Sequence, residues 1–133
     1  MKKILLSIGL FSLMAVFLTS CGGKPYSFKE SIEEIESIEI ISAENSLHFT
    51  VIKTLSETEK EDFLEQFKKI NFYKYLGDPP AVHGNAIKIN YKNCDYETIC
   101  YYSAEYVKDR EIYFLWKRCN EKEFNILLDN FLE

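Results

Sequence analysis

The chain has 133 residues, of which 47% are hydrophobic, 28% charged and 15% aromatic, and its formal net charge is −5. Its length suits one domain, and it lacks the several apolar runs of about 20 residues that a polytopic membrane protein needs. The acidic balance excludes generic nucleic-acid binding, and 10 Phe, 9 Tyr and 1 Trp exclude a wholly disordered chain.

The first twenty residues are organised as an export signal. Lys2 and Lys3 form a cationic start, and residues 4–18 follow without a charge. A helix of that length spans about 22 Å, whereas the hydrocarbon core of a bilayer is about 30 Å thick. The apolar run therefore fits a signal peptide better than a permanent span, with its lysine end on the cytoplasmic side.

The next residues are Leu18-Thr19-Ser20-Cys21, in which one aliphatic and two small residues precede a cysteine. In this position the tetrapeptide resembles the lipobox of bacterial lipoproteins, and the resemblance covers residues 1–21 only. It implies cleavage between Ser20 and Cys21, a diacylglyceryl group on the cysteine sulfur and, in some bacteria, further acylation of the new N-terminus. It also implies a place in the cell envelope facing outside the cytoplasm, on the cell membrane or on an outer membrane where one exists. The alternatives are an ordinary secretory signal with a chance cysteine, or an uncleaved anchor.

Removal of residues 1–20 would leave 14 basic and 21 acidic side chains, a side-chain charge of −7. Such a domain gains no attraction from anionic lipid, so we expect two or more acyl chains to hold it. Residues 21–31 begin with the lipidated cysteine and contain Gly22, Gly23 and Pro25, which predict a flexible tether. The single globular domain is predicted over 32–133, standing away from the bilayer.

The first predicted elements of that domain are a hairpin. Ile32 and Ile35 suit a short helical turn, and β-branched residues favour a strand from Ile38 onward. After turn-forming residues at 43–46, apolar and polar residues alternate over 47–52 and predict the second strand.

A helix is predicted next, over about 57–70. Ser56 and Glu59 match a capping box, in which each side chain satisfies a backbone amide of the other residue. An apolar stripe follows at helical spacing and comprises Phe63, Leu64, Phe67 and Ile70.

Three strands and a helix complete the predicted domain. After a break at residues 77–80, strands are predicted over 86–92, 96–107 and 112–117, the second one bent near Ser103 and Ala104. Cys94 lies in a tight turn where glycine is usual, which predicts backbone strain, and Asn120 is suited to cap the last helix. The fold predicted from this order is α+β: an antiparallel sheet of about five strands in ββα-βββα order, with two helices packed on one face.

The mature chain would contain four cysteines, Cys21, Cys94, Cys100 and Cys119. With Cys21 lipidated, three thiols remain, so one intramolecular disulfide at most leaves one thiol free. A bridge between Cys100 and Cys119 is one interpretation, because the compartment outside the membrane permits disulfides. Buried unpaired thiols are the other.

The sequence contains no motif for a metal or a cofactor, and we expect neither. Its two histidines, His48 and His83, are far apart, and the cysteine spacing matches no zinc-binding pattern. The glycine-rich and nucleophile-elbow motifs of common enzymes are also absent from the sequence. A thiol enzyme with Cys94 or Cys119 as nucleophile and His83 as base stays an alternative that requires contact in space.

An aromatic surface is the main candidate for partner binding. Tyr73 and Tyr75 precede the loop at 77–80, which contains Asp78, and His83 follows that loop. Tyrosine-rich surfaces beside a rigid proline loop suit protein or glycan contacts. The competing interpretation is that these rings fill the core of a small sheet.

Three functions follow as expectations, and the sequence does not predict the oligomeric state. The first is a lipid-anchored binding module without catalytic activity, whose partner is a protein or glycan of the envelope. A narrower form is an inhibitor or immunity lipoprotein against a secreted enzyme or toxin, because an acidic surface steers toward a basic partner. The rival is a small envelope hydrolase or thiol enzyme, which needs a concave site with convergent polar groups.

Overall fold

The computed structural model describes residues 23–133, and the predicted signal peptide and Cys21 lie outside this range. A single 3₁₀ turn, Ile32–Glu34, precedes the first strand in the described range. The strands are β1 (Ile35–Ala43), β2 (Phe49–Thr54), β3 (Tyr73–Lys74), β4 (Gly84–Tyr91), β5 (Tyr96–Cys100), β6 (Ser103–Lys108), β7 (Glu111–Phe114) and β8 (Lys117–Arg118), and the helices are α1 (Glu57–Phe67) and α2 (Glu121–Leu132). Six strands form one antiparallel sheet in the spatial order β2-β1-β4-β5-β6-β7, which confirms an α+β fold with an antiparallel sheet and two helices.

The number and order of strands differ from the prediction. The strand predicted over 96–107 is two strands, because the chain reverses at Tyr101 and Tyr102 and pairs Cys100 with Ser103. Neither tyrosine belongs to the residue types that favour turns, so the reversal has no compositional mark. The strand predicted over 112–117 also divides, since β7 ends at Phe114 while β8 pairs with β3 in a separate two-stranded sheet, here called the ribbon.

Both helices begin where capping residues predict. The Ser56 hydroxyl accepts a hydrogen bond from the Glu59 amide at 3.2 Å, and the Glu59 carboxyl accepts one from the Ser56 amide at 3.1 Å. The Asn120 side chain accepts from the Glu123 amide at 3.1 Å and caps α2. Helix α1 ends at Phe67, which is earlier than the predicted residue 70.

The main core lies between the helices and one face of the sheet. It joins buried side chains of β1, β4 and β5 to those of both helices, so the helices cover a common face. Its largest members include Ile38, Ile40, Ile87, Ile89, Ile99, Phe63, Phe67, Phe124, Leu127, Leu128 and Phe131. The opposite face carries a smaller cluster of Ile41, Ala43, Val82, Ala86 and Cys100.

The turn between β4 and β5 confirms the predicted strain. Cys94 has a φ of 75°, a conformation that L residues other than Asn and Asp rarely adopt. Its amide donates to the Tyr91 carbonyl at 3.1 Å, and the Tyr91 amide donates to the Asp95 carbonyl at 2.9 Å.

Residues 24–31, here called the N-terminal segment, lie within the predicted tether and contact the folded part. The Lys24 amide donates to the Phe72 carbonyl at 3.0 Å, and the Phe72 amide donates back at 2.7 Å. Tyr26 is buried against the rings of Phe28, Phe67 and Phe72, at centroid distances of 5.0–5.4 Å. Aromatic packing therefore begins three residues after Gly23.

Neither of the two helices in residues 23–133 has the length and apolar content that crossing a bilayer requires.

Candidate functional site

A buried carboxyl group attaches the N-terminal segment to the sheet. Glu97 on β5 is fully buried and points toward the helix-covered face, where it accepts three hydrogen bonds. The hydroxyls of Tyr26 and Tyr91 donate to it at 2.5 Å each, and the Lys29 amide donates at 2.6 Å. Burial, followed by the Glu97 charge, raises the pKa of Tyr26 well above 10, so this phenol stays a donor.

A second buried carboxyl group fixes the loop before β4. Glu105 on β6 lies on the opposite face and accepts from the Val82 amide at 2.5 Å and the Ser46 hydroxyl at 3.1 Å. The Ser46 oxygen also lies 2.5 Å from the Thr98 hydroxyl. Because both carboxyls are closed from solvent and hydrogen-bonded, they hold chain segments in place and offer no open acid for catalysis.

The ribbon forms one wall of a groove beside the start of the described chain, here called the ribbon groove. Its volume is about 280 Å³. The ribbon is held on both sides: the Tyr75 amide donates to the Trp116 carbonyl at 2.9 Å, and the Leu115 amide donates to Ala104 of β6 at 3.0 Å. The groove is lined by Lys24, Pro25, Tyr26, Ser27, Phe72, Tyr73, Lys74, Leu115, Trp116 and Lys117. Among residues 23–133 its lining includes three lysines and no acidic side chain, in a chain whose formal charge is −5.

The cations of the ribbon groove differ in how exposed they are to solvent. The Lys117 ammonium donates to the Ser27 carbonyl at 2.6 Å and lies 4.0 Å from the centroid of the Tyr26 ring, and burial lowers its pKa. Lys24 and Lys74 are exposed. The guanidinium of Arg118, also exposed, lies 5.5 Å from the Tyr73 ring centroid at the edge of the groove.

Two aromatic side chains of the groove project toward solvent. Tyr73 is 42% exposed and Trp116 is 47% exposed, while Leu76 beyond β3 is 82% exposed. Trp116 has a φ of 48°, which is strained for a bulky residue. Strain of this kind persists only where the surrounding structure imposes it, and here the Tyr75 hydrogen bond and the ribbon pairing do so.

A second concave surface lies between the helices and is called the interhelical cleft. Its volume is about 620 Å³, and Asp62, Gln66, Glu123, Ile126 and Asn130 are among its lining residues. The two helices are bridged there by a hydrogen bond of 3.1 Å from the Asn130 side-chain Nδ2 to the Gln66 side-chain oxygen. Ile126 is 51% exposed, so the cleft presents an apolar centre beside exposed carboxyl groups.

The structure separates the predicted partner-binding residues. Tyr73 lies in the ribbon groove, and Tyr75 follows it and is half-buried. Asp78 and His83 are exposed in the loop between β3 and β4, where the His83 carbonyl accepts from the Tyr102 hydroxyl at 3.1 Å. Of the four, Tyr73 alone lines the groove in the described part of the chain.

The three described cysteines are free thiols, so a Cys100–Cys119 bridge is not formed. Cys119 belongs to the core on the helix side, whereas Cys100 belongs to the cluster on the other face. Burial, followed by Cys100, raises the pKa of Cys119 to about 12, and burial raises the pKa of Cys100. Cys94 is exposed in its turn.

The described residues contain no group of three or more His, Cys, Asp or Glu side chains arranged to hold a metal ion. His48 lies in the turn after β1, where a ring nitrogen is 3.3 Å from the Asn45 side-chain oxygen. The backbone of His83 forms a hydrogen bond with the Cys100 thiol. Within residues 23–133, the histidine-ring hydrogen bond is that of His48 with Asn45, and neither ring is bonded to a cysteine.

Sequence reasoning overlooked Glu97, Glu105 and Trp116. A usable sign existed for Glu97, because in a strand it shares a face with the apolar Ile99 two residues later. Glu105 had no such sign, since its face is buried by loops that periodicity does not place. Trp116 is the lone tryptophan of the chain and lies inside the strand predicted over 112–117, and it was not singled out.

Comparisons of this chain with family models, with curated proteins and with solved structures give no match.

Proposed function

We propose that this chain is a bacterial lipoprotein, anchored in the cell envelope through Cys21, whose folded part acts by binding a partner and not by catalysis. The anchor rests on the resemblance of residues 1–21 to a lipobox and its signal peptide. One observation from the folded part fits it: Lys24, three residues after Cys21, pairs with Phe72. Acyl chains on that cysteine would therefore hold the folded part directly at a membrane surface.

The concave surfaces support binding. The ribbon groove, at about 280 Å³, lies below the usual range of about 300–1,000 Å³ for small-molecule sites. Its exposed aromatic rings and cations suit contact with a broad surface. The two fully buried carboxyls, Glu97 and Glu105, are occupied by protein donors and are not available to a substrate.

The test of the anchor is fractionation combined with mass spectrometry of the product made in a bacterial host. We expect the wild-type chain to sediment with membranes and to carry diacylglyceryl on Cys21 as its N-terminal residue. Cys21→Ala should lose the lipid and leave the membrane fraction, or remain unprocessed with residues 1–20 attached. The matched control Cys94→Ala alters an exposed cysteine of the folded part and should retain both lipid and location. A processed Cys21→Ala product that stays in the membrane fraction argues against the lipid anchor.

The interhelical cleft favours an inhibitor or immunity role as a second candidate function. It combines an exposed apolar residue, Ile126, with two carboxyl groups, Asp62 and Glu123, and one lysine, Lys69. This net negative lining suits a basic protein partner. Affinity capture from native envelopes with wild-type protein and with Ile126→Lys distinguishes this role. A partner lost specifically from Ile126→Lys supports the cleft, whereas equal capture by both contradicts it.

A further inference from the structure

We propose that the ribbon groove is the face that rests on the anionic headgroups of the membrane that anchors the chain. This inference depends on the proposed lipid at Cys21, and it reverses the expectation that the domain stands away from the bilayer. The proposed contact residues are Lys24, Tyr73, Lys74, Trp116 and Arg118.

The first argument is the position of Gly23, where the described part of the chain begins. Gly23 packs against the Tyr73 ring so closely that a Cβ atom there would lie 2.8 Å from the ring carbon Cζ. From Gly23, two residues back to Cys21 span at most about 7 Å. The headgroup layer of one leaflet is itself about 5–7 Å thick. If Cys21 carries a lipid, the groove must therefore lie close to the headgroups.

The second argument is charge. Lys24, Lys74 and Arg118 are exposed in or beside the ribbon groove, whereas the chain after residue 20 carries 21 acidic and 14 basic side chains. A uniform acidic surface would be repelled by an anionic leaflet. Because salt screens charges beyond about 8 Å, acidic side chains on remote parts contribute little, and the local cations decide the interaction.

The third argument is the type and exposure of the apolar side chains. Trp116 and Tyr73 are nearly half exposed, and Leu76 is almost fully exposed. Tryptophan and tyrosine are enriched where membrane meets water, because each ring combines an apolar body with a polar group. The backbone of Trp116, with a φ of 48°, is fixed by the Tyr75 hydrogen bond and the ribbon pairing, so this exposed ring has a defined position at the groove.

The lone tryptophan makes the contact directly measurable. The full chain, processed and lipidated, is purified from bacterial membranes and reconstituted into vesicles of phosphatidylcholine with phosphatidylglycerol. A fraction of the lipids carries bromine near the headgroup end of the acyl chain, where it quenches nearby tryptophan emission. We expect bromolipid to quench Trp116, and acrylamide in the water to quench it less than in the unfolded chain.

A matched control moves the probe away from the groove. The variant Trp116→Phe/Ile52→Trp places the tryptophan on β2, where Ile52 is 48% exposed. In the sheet β2 lies four strands from β6, or about 19 Å away. This probe should be quenched by acrylamide and not by bromolipid.

Charge variants test the role of the cations. Each neutralised cation should lower the ratio of molecules whose groove contacts the headgroups to molecules whose groove does not by about fivefold. This shift is measured as a loss of bromolipid quenching of Trp116. The groove variant is Lys24→Gln/Lys74→Gln/Arg118→Gln, and its matched control is Lys69→Gln/Lys92→Gln/Lys122→Gln, which changes three other exposed lysines. Vesicles of phosphatidylcholine alone should give less quenching of the unaltered chain than anionic vesicles.

The outcomes separate this inference from the proposed function. If mass spectrometry finds no acyl group on Cys21, the anchor and the orientation both fail. If Cys21 is acylated but Trp116 is open to acrylamide and unaffected by bromolipid, the anchor stands and the membrane-facing groove is refuted. Equal loss of quenching in the groove and control charge variants also refutes it, because the effect would then be one of net charge alone.

Discussion

The hydroxyl of Tyr26 offers the sharpest test of how the N-terminal segment is held. Tyr26→Phe keeps a ring among Phe28, Phe67 and Phe72 and removes only the group that donates to Glu97 Oε2 at 2.5 Å. That oxygen accepts no other hydrogen bond in the described residues, so it becomes a buried acceptor without a partner. Leaving such a group unsatisfied costs about 1–3 kcal/mol.

Comparison with Tyr91 isolates the hydrogen bond from general packing. The other carboxyl oxygen, Glu97 Oε1, accepts from both the Tyr91 hydroxyl and the Lys29 amide. Tyr91→Phe therefore leaves that oxygen one donor, and its cost should be smaller, about 0.5–1.5 kcal/mol. Glu97→Ala leaves all three donors without their acceptor and should lower the free energy of unfolding by about 3–5 kcal/mol. That is a large share of the roughly 5–15 kcal/mol that stabilises a typical domain.

Urea unfolding at neutral pH measures these differences, with Tyr113→Phe as the control. Tyr113 is an exposed phenol that donates to Glu111, and its loss should leave the unfolding midpoint unchanged. Amide hydrogen exchange adds a local measurement, because the Lys29 amide should lose protection in Glu97→Ala. A Tyr26→Phe variant with wild-type stability, together with unchanged exchange at Lys29 in Glu97→Ala, would refute the assigned role of the carboxyl.

Three further predictions concern pH, thiols and helix capping. Because the pKa of Tyr26 is raised in the folded protein, the unfolded chain loses the phenol proton first as the pH rises above about 10, and the free energy of unfolding should fall. The urea midpoint should therefore fall less steeply with pH in Tyr26→Phe than in the wild type. In the folded protein a maleimide reagent should modify Cys94 rapidly, while Cys100 and Cys119 should react only after unfolding, and intact-mass spectra that show a second rapid adduct would contradict their burial. Ser56→Ala removes the hydroxyl that caps α1 and should cost about 1 kcal/mol in urea unfolding, and an unchanged midpoint would mean that the cap is redundant.

The features that sequence predicted well are those whose causes are local. A serine or asparagine before an apolar stripe sets a helix start through contacts three residues away, and both Ser56 and Asn120 do so. Alternation of apolar and polar residues likewise predicts β4, where Ile87, Ile89 and Tyr91 share the buried face. These effects need no knowledge of the rest of the fold.

The features that sequence missed depend on distant residues. The reversal at Tyr101 and Tyr102 is made by the pairing of β5 with β6, and these two residues carry no turn preference that could mark it. Trp116 lies between two strands and not inside one, because β8 pairs with β3, more than 40 residues earlier in the chain. The candidate site shows the same division: Tyr73 was predicted from its neighbours, whereas its partners Lys24 and Trp116 come from remote parts of the sequence.

The buried carboxyl of Glu97 connects the stability of the fold to the proposed orientation at the membrane. While Tyr26 and the Lys29 amide are bonded to it, Cys21 lies only two residues before Gly23 at the groove, a span of at most about 7 Å. Without those bonds and the Lys24 pairing, the free chain extends to about residue 31, and its reach grows to about 35 Å, more than four Debye lengths at physiological salt. At that distance the groove cations no longer interact with the leaflet, and the acidic body is free to turn. A lipid on one cysteine gives attachment alone, so on this account it is the buried carboxyl of Glu97, bonded to the groove residue Tyr26, that converts attachment into a defined orientation.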